Sequence, residues 1–271
     1  MIENALKQKW ASGQGTLNGW LSIGNAFTAE IMAAQGYDSL CIDIQHGFLD
    51  YGNAMGMLQA VRASGVVPLV RVPWNEPGII MKALDAGAYG IICPMVNSAE
   101  EAAALVRSVR YPPHGARSFG PTRANYAAGP GYAAEANTNI LAFAMIETAE
   151  AVENVEAICA TPGLDGVYIG PADLTLGVTQ GRLPPGFDRE EDEMIAVIKR
   201  ILAAAQAAGI RAALHCMSPA YAAQAIGWGF NMTTLSADAR LLAAAASASL
   251  SEARALIGAG QAEAPRDKTG Y

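Results

Sequence analysis

Short, nearly continuous apolar runs alternate with Ala-rich stretches of helical period along almost the whole 271-residue chain. The runs are GWLSIG (19–24), SLCIDIQ (39–45), VPLVRV (67–72), GIICPMV (90–96), LAFAMIE (141–147), GVYIGP (166–171), RAALHC (211–216) and NMTTLSA (231–237). Each is followed by an amphipathic or Ala-rich segment such as FTAEIMAAQ, SAEEAAALVRSV or REEDEMIAVIKRILAAAQAAG. Strands apolar on both faces belong to parallel sheets covered by helices, and strict βα alternation predicts an α/β architecture. Eight such units in about 250 residues predict a single (β/α)8 TIM barrel. A doubly wound open sheet is the alternative, but no G-x-G-x-x-G turn follows the first run.

Two segments break the rhythm. Residues 111–140, YPPHGARSFGPTRANYAAGPGYAAEANTNI, form a long Gly/Pro/Ala connection carrying Arg117, Ser118 and Arg123. Connections longer than roughly 12–15 residues tend to be functional or disordered. At the other end, an Ala-rich helix with an apolar face follows the last strand and has no further strand to cover, so it is free to dock on a neighbouring subunit. The expected division is a barrel domain over 1–257 and a tail over 258–271, where EAPRDKTGY reads as a frayed end.

Composition narrows the function classes. The net charge of −7 argues against a sequence-independent grip on nucleic acid, which needs clustered Lys and Arg. No apolar run reaches the roughly 18 residues of a membrane span. MIENALKQKW lacks the apolar stretch of a secretory signal. Cys41, Cys93, Cys159 and Cys216 are scattered without a C-x-x-C pair, as expected for reduced core thiols of a cytoplasmic protein.

The polar residues that interrupt the strands fall at their ends, which is where a barrel of this kind does its chemistry. The second strand finishes with Asp43, Gln45 and His46, the third with Arg71, and the fifth with Glu147, in phase with Met145. The sixth runs into Ala172 and Asp173. Taken singly, Glu147 or Asp173 reads equally well as a helix cap, Arg71 as an interior ion pair, and His46 as a core histidine. Together they predict a site, because several charges buried near one another are costly unless paired or bound to a cation. Two carboxylates from adjacent strand ends suit a hard divalent ion, Mg²⁺ or Mn²⁺ with Co²⁺ as a further candidate. Zinc is disfavoured, since His46, His114 and His215 show no ligand spacing. The lysines are Lys7, Lys9, Lys82, Lys199 and Lys268, none at a strand end, which argues against an imine mechanism.

From about Gly19 to Ala245 the chain resembles the HpcH/HpaI class II aldolases. The stretches that carry the resemblance are DIQHG (43–47), VPLVRVPWNEPGIIMKALDAGAYGIICPMV (67–96), YPPHGARSFG (111–120) and IETAEAVENVEAICATPGLDGVYIGPADLTLGVT (146–179). The resemblance implies a metal-dependent barrel that makes or cleaves a C–C bond between a 2-oxo acid enolate, of pyruvate or hydroxypyruvate, and an aldehyde. It also implies a homo-hexamer of dimers that exchange the C-terminal helix. By position, Glu147 and Asp173 match metal ligands, Arg71 the enolate-stabilising arginine, His46 the base, and Asp85 the carboxylate that raises the basicity of that base. Ala172 matches a backbone N–H contact to the substrate carboxylate, and Trp20 an aromatic lining the site. Two positions depart from the family pattern: Gln45 stands where a glutamate is common, and Met145 where a glutamine is. Alternatives are a CoA-ester lyase of the citrate lyase β type, a phosphoenolpyruvate mutase-like enzyme, and a 2-oxo-acid-binding barrel without turnover.

Overall fold

The structure is a computed structural model; it describes residues 1–262, with side chains to residue 258. In chain order the elements begin with α1 (Ala5–Ala11), β1 (Thr16–Leu21), α2 (Ala26–Ala33), β2 (Ser39–Asp43), α3 (Tyr51–Arg62), β3 (Val67–Arg71), α4 (Pro77–Asp85), β4 (Gly90–Cys93) and α5 (Ala99–Val109). They continue with α6 (Thr122–Ala128), α7 (Tyr132–Asn139), β5 (Leu141–Ile146), α8 (Ala149–Glu153), α9 (Val155–Cys159), β6 (Gly166–Ile169) and α10 (Pro171–Thr179). The last elements are α11 (Asp192–Ala207), β7 (Arg211–Cys216), α12 (Pro219–Trp228), β8 (Met232–Ala237) and α13 (Asp238–Ala262). The eight strands close into one parallel barrel in sequence order, with β1 pairing both β2 and β8. The expected (β/α)8 barrel is the observed fold.

Local chemistry explains where the helices start. Asn25, Asp50, Ser98, Thr148 and Ser218 each accept a first-turn backbone N–H, supplying the partner that the helix start lacks. Pro77, Pro171 and Pro219 open α4, α10 and α12, where a missing N–H costs nothing. α12 ends at Gly229, whose φ of 111° is open to glycine and strained for other residues.

The structure differs from the sequence pattern in three places. β1 begins at Thr16 and ends at Leu21, earlier than the apolar run, because its first inward residues are polar. Asn18 donates to Thr234 and Trp10 to the Thr16 hydroxyl (both 3.0 Å), while the Ser22 N–H and hydroxyl both donate to Asp238 (2.8 and 2.7 Å), which draws the chain off the sheet. Helix α1 was not legible in the strand–helix rhythm. It closes the N-terminal end of the barrel, where Trp10 meets Phe143 edge-on at 6.2 Å. The long connection 111–140 contains α6 and α7 and, lying between α5 and β5, sits at that same end. There Arg117 stacks between Tyr111 and Tyr132 and Arg123 donates to the Ala86 and Leu58 carbonyls. The segment 263–271, with the expected frayed end, lies outside the described residues. Among the described residues no helix is long and apolar enough to cross a membrane, and all four cysteines are buried and free.

Candidate active site

A cavity of about 350 Å³ opens at the C-terminal ends of the strands. Its walls bring together Trp20 of β1, Asp43 of β2, Arg71 of β3, Met145 of β5 and, just beyond the strand ends, His46 and Glu147. Ala172 and Asp173 enter from the first turn of α10. Residues separated by more than a hundred positions thus meet because each stands at the same end of a parallel strand.

Asp43 organises one side. Its carboxylate accepts a fork from Arg71, Nε at 2.8 Å and Nη2 at 2.6 Å, across the register that pairs the two residues. It also accepts the Trp20 indole N–H at 3.1 Å and the backbone N–H groups of Gln45 and His46 at 3.1 and 3.2 Å. Burial alone would raise the Asp43 pKa, but the Arg71 hydrogen bonds and charge outweigh it and hold the carboxyl below its ordinary value. Arg71, fixed in this way, lies 4.8 Å from the Trp20 ring centre. His46 is exposed at the lip, on the turn that Asp43 shapes.

The other side is acidic. Glu147 is 3% exposed and accepts the Met95 N–H at 2.8 Å. Burial pushes its pKa up to about 7, and the neighbouring charge of Asp173 adds to that, against the Met95 hydrogen bond and Arg71. A buried carboxylate beside a second acid and without an ion-pair partner is costly to ionise. Among the described residues no group of three or more His, Cys, Asp or Glu is arranged to hold a metal. The two carboxylates alone still fit a hard divalent ion, which takes one or two carboxylates and fills its shell with water and substrate oxygens. Gly170 makes room for Glu147: a Cβ there would fall 2.4 Å from Glu147 Oε2 and 3.0 Å from Met145 Cε. First-turn N–H groups of α10, including that of Ala172, have no intrahelical acceptor and suit an anion.

Other wall residues, Phe187, His215 and Arg240 among them, were given no role in the site from sequence. His215 of β7 lies between the Trp20 and Phe187 rings, with centres 4.8 and 4.9 Å away. Burial, then the Arg71 charge, pushes its pKa down to about 3, so the ring is neutral at physiological pH. Its Nδ1 lies 2.9 Å from the Tyr168 hydroxyl. Arg240 of α13 reaches the rim, 5.6 Å from the centre of Phe187. Strand alternation could have found His215, since it is in phase with Ala213 on the inward face; nothing local marks Phe187 or Arg240.

Asp85 is not brought to His46. It ends α4, at the opposite end of the barrel from the cavity, and its carboxylate accepts from Arg117 at 2.6 Å. Gln45 presents a buried Oε1 without a hydrogen-bond partner.

The sequence profile described as HpcH/HpaI aldolase/citrate lyase matches residues 18–245. The hydroxypyruvate/pyruvate aldolase of Rhizorhabdus wittichii is 42% identical over 253 residues, covering 93% of this chain and all of that one (100%). The 4-hydroxy-2-oxovalerate aldolase of Rhodococcus jostii is 35% identical over 90% of this chain and 94% of its own. Among solved structures, an HpcH/HpaI aldolase/citrate lyase family protein from Burkholderia cenocepacia superposes with a TM-score of 0.84 at 34% identity, covering 93% of this chain and 99% of that one. With a profile match across the barrel and relatives of this identity along nearly their whole length, the chain belongs to the HpcH/HpaI aldolase/citrate lyase family.

Proposed function

We propose that this enzyme is a divalent-metal-dependent aldolase that joins or separates a 2-oxo acid enolate, of pyruvate or hydroxypyruvate, and an aldehyde. The observation that carries the reading is the meeting of an unpaired acid pair, a fixed arginine and an exposed histidine in one cavity. Glu147 and Asp173 would hold Mg²⁺, Mn²⁺ or Co²⁺. When bound, the cation supplies a Lewis acid for the keto oxygen and for the negative charge that develops there.

The chain's own groups do the rest. The Ala172 N–H and the positive end of α10 take the substrate carboxylate. Arg71, pre-oriented by Asp43, donates to the enolate oxygen as charge builds, at no cost of reorganisation. In cleavage, His46 removes the proton of the aldol hydroxyl as the C–C bond breaks, releasing the aldehyde and leaving the enolate. In synthesis it returns that proton to the new alkoxide. Asp43 acts through Arg71 and the His46 turn. Asp85 enters this scheme only from a neighbouring subunit, because its own chain keeps it at the far rim. Met145 gives the donor an apolar wall, and Trp20 fixes Asp43 and closes the side of the cavity.

Assembly and location belong to the same proposal. α13 presents Leu242, Leu250, Leu256 and Ile257 to solvent at 53–67% exposure, which favours a homo-oligomer, proposed as a hexamer. Four buried free thiols favour a reducing, cytoplasmic location.

The test uses metal-stripped enzyme reloaded with Mg²⁺, Mn²⁺ or Co²⁺ and a panel of aldehydes with pyruvate or hydroxypyruvate. Turnover should vanish on chelation, return with metal, and survive borohydride in the presence of substrate. A lysine trapped by borohydride would overturn the metal route. Calorimetric binding of pyruvate without product under every metal would favour a binding protein.

A further inference from the structure

We propose that His215, held by Tyr168, is a specificity-determining residue that reads an oxygen substituent beside the carbonyl of the acceptor aldehyde, so that 2-hydroxyaldehydes are taken in preference to alkyl aldehydes. This rests on the aldolase reading above and assigns the half of the cavity that reading leaves open.

A file of buried polar side chains runs through the barrel interior to the cavity. Ser39 Oγ donates to Asn18 Oδ1 at 2.8 Å, and Asn18 Nδ2 donates to Thr234 Oγ1 at 3.0 Å. Thr234 Oγ1 lies 2.7 Å from the Tyr168 hydroxyl, and that hydroxyl lies 2.9 Å from His215 Nδ1. Direction along the file follows from counting protons. Thr234 already accepts from Asn18, so its single proton goes to Tyr168, and Tyr168 passes its own proton to His215 Nδ1. In the opposite sense the buried Thr234 hydroxyl proton has no acceptor among the described residues, and a buried unpaired donor is the arrangement folded proteins avoid.

His215 Nδ1 is therefore an acceptor, and the ring's one N–H is at Nε2. Nε2 makes no hydrogen bond among the described residues, while the ring lines the cavity. Trp20 and Phe187 clamp the ring from two sides, so the donor is directed and not free to turn. Burial keeps the ring neutral, so it is a donor and not a proton acceptor at working pH.

Of the groups suited to the 2-oxo acid, Arg71 is on β3 and Glu147 follows β5, while Ala172 on α10 borders Phe187 and Arg240. His215 is on β7, with Phe187 and Arg240 on the same flank of the mouth. That flank, beyond Ala172 as seen from Glu147 and Arg71, is assigned to the second reactant. A site with one directed donor between two aromatic walls discriminates a hydroxyl from a methyl, because the methyl leaves the donor unpaired.

The experiment compares glycolaldehyde with propanal, which differ by hydroxyl against methyl, using pyruvate and then hydroxypyruvate as donor, with Mg²⁺ and the full-length enzyme. The wild type should favour glycolaldehyde by roughly tenfold or more in kcat/KM. His215→Leu should erase that ratio, and His215→Gln, which restores an N–H donor, should recover part of it. Tyr168→Phe leaves the ring in place and removes the partner of Nδ1; it should lower the ratio by about threefold to tenfold. A ratio unchanged in His215→Leu, or an equal fall with both aldehydes in all three variants, overturns the proposal. So does an effect confined to hydroxypyruvate against pyruvate as the donor. Absence of aldol product from the wild type with either aldehyde counts against the aldolase reading itself.

Discussion

At the N-terminal rim of the barrel the acids are tied up. Asp165 is shared by Arg110, Lys7 and the Ala142 N–H, Asp85 by Arg117, and Asp38 by Lys9 and the Leu17 N–H. At the C-terminal rim Asp43 is paired with Arg71, yet Glu147 and Asp173 have no ion-pair partner among the described residues. Both ends draw on the same residue types. One end uses them to lock α1, α5 and the 111–140 connection beneath the barrel, and the other leaves an energetic deficit that a ligand can fill. A charge with all its partners in place holds the fold, and one without them is available for chemistry.

By that contrast, substitutions at the two rims should separate activity from stability. The largest effect is expected for Asp173→Ala: loss of cation binding should remove several kcal/mol of transition-state stabilisation, roughly 10⁴-fold in turnover. The variant should fold normally and, in the absence of metal, be no less stable than the wild type; a lower denaturant midpoint would place Asp173 among the structural acids. His46→Ala should cost roughly 10²–10⁴ in kcat. Oxalate affinity, measured by calorimetry, should persist in this variant, and its collapse would make His46 a structural residue or a ligand. At the other rim, Asp165→Ala strands the buried Arg110 guanidinium and should cost about 3 kcal/mol of stability. Its kcat/KM should stay within about twofold, and a large catalytic loss would break the contrast.

The acid pair also predicts a pH signature. In the folded chain Glu147 holds its proton up to about 7, against an ordinary 4.5 in the unfolded chain. Its contribution to stability is therefore fully present below 4.5 and is lost as pH rises through about 7. Metal-free protein should lose about 3 kcal/mol over that window relative to Glu147→Gln. Saturating Mg²⁺ should flatten the difference, and identical urea midpoints of the two proteins across the window would contradict it. The smallest effect is expected at Met145. Met145→Gln supplies a directed donor beside the keto acid, worth about 0.5–1.5 kcal/mol. The KM for pyruvate should fall several-fold, and an unchanged KM would make Met145 packing alone.

Local pattern carried much of this architecture. Apolar runs such as VPLVRV and LAFAMIE marked β3 and β5 within a residue or two of their ends, because strands buried on both faces leave an unbroken apolar trace. The same pattern missed α1 and the start of β1, where Thr16 and Asn18 are buried by hydrogen bonding and not by apolarity. The connection 111–140 drew attention by its length and by Arg117 and Arg123; the structure turns both inward to the floor of the barrel.

By itself the sequence determined the barrel and the rim at which Asp43, His46, Arg71, Glu147 and Asp173 gather. Strand periodicity and the position of a residue at a strand end are properties of the local backbone, so they survive in a one-dimensional reading. Only the tertiary structure decided that Asp43 commits its oxygens to Arg71, Trp20 and the His46 turn, that Asp85 stands at the far rim, and that His215 is a neutral ring fixed through Tyr168. Desolvation and hydrogen-bond direction are sums over groups that meet from all eight strands, and no stretch of the chain contains enough of them to reveal the total.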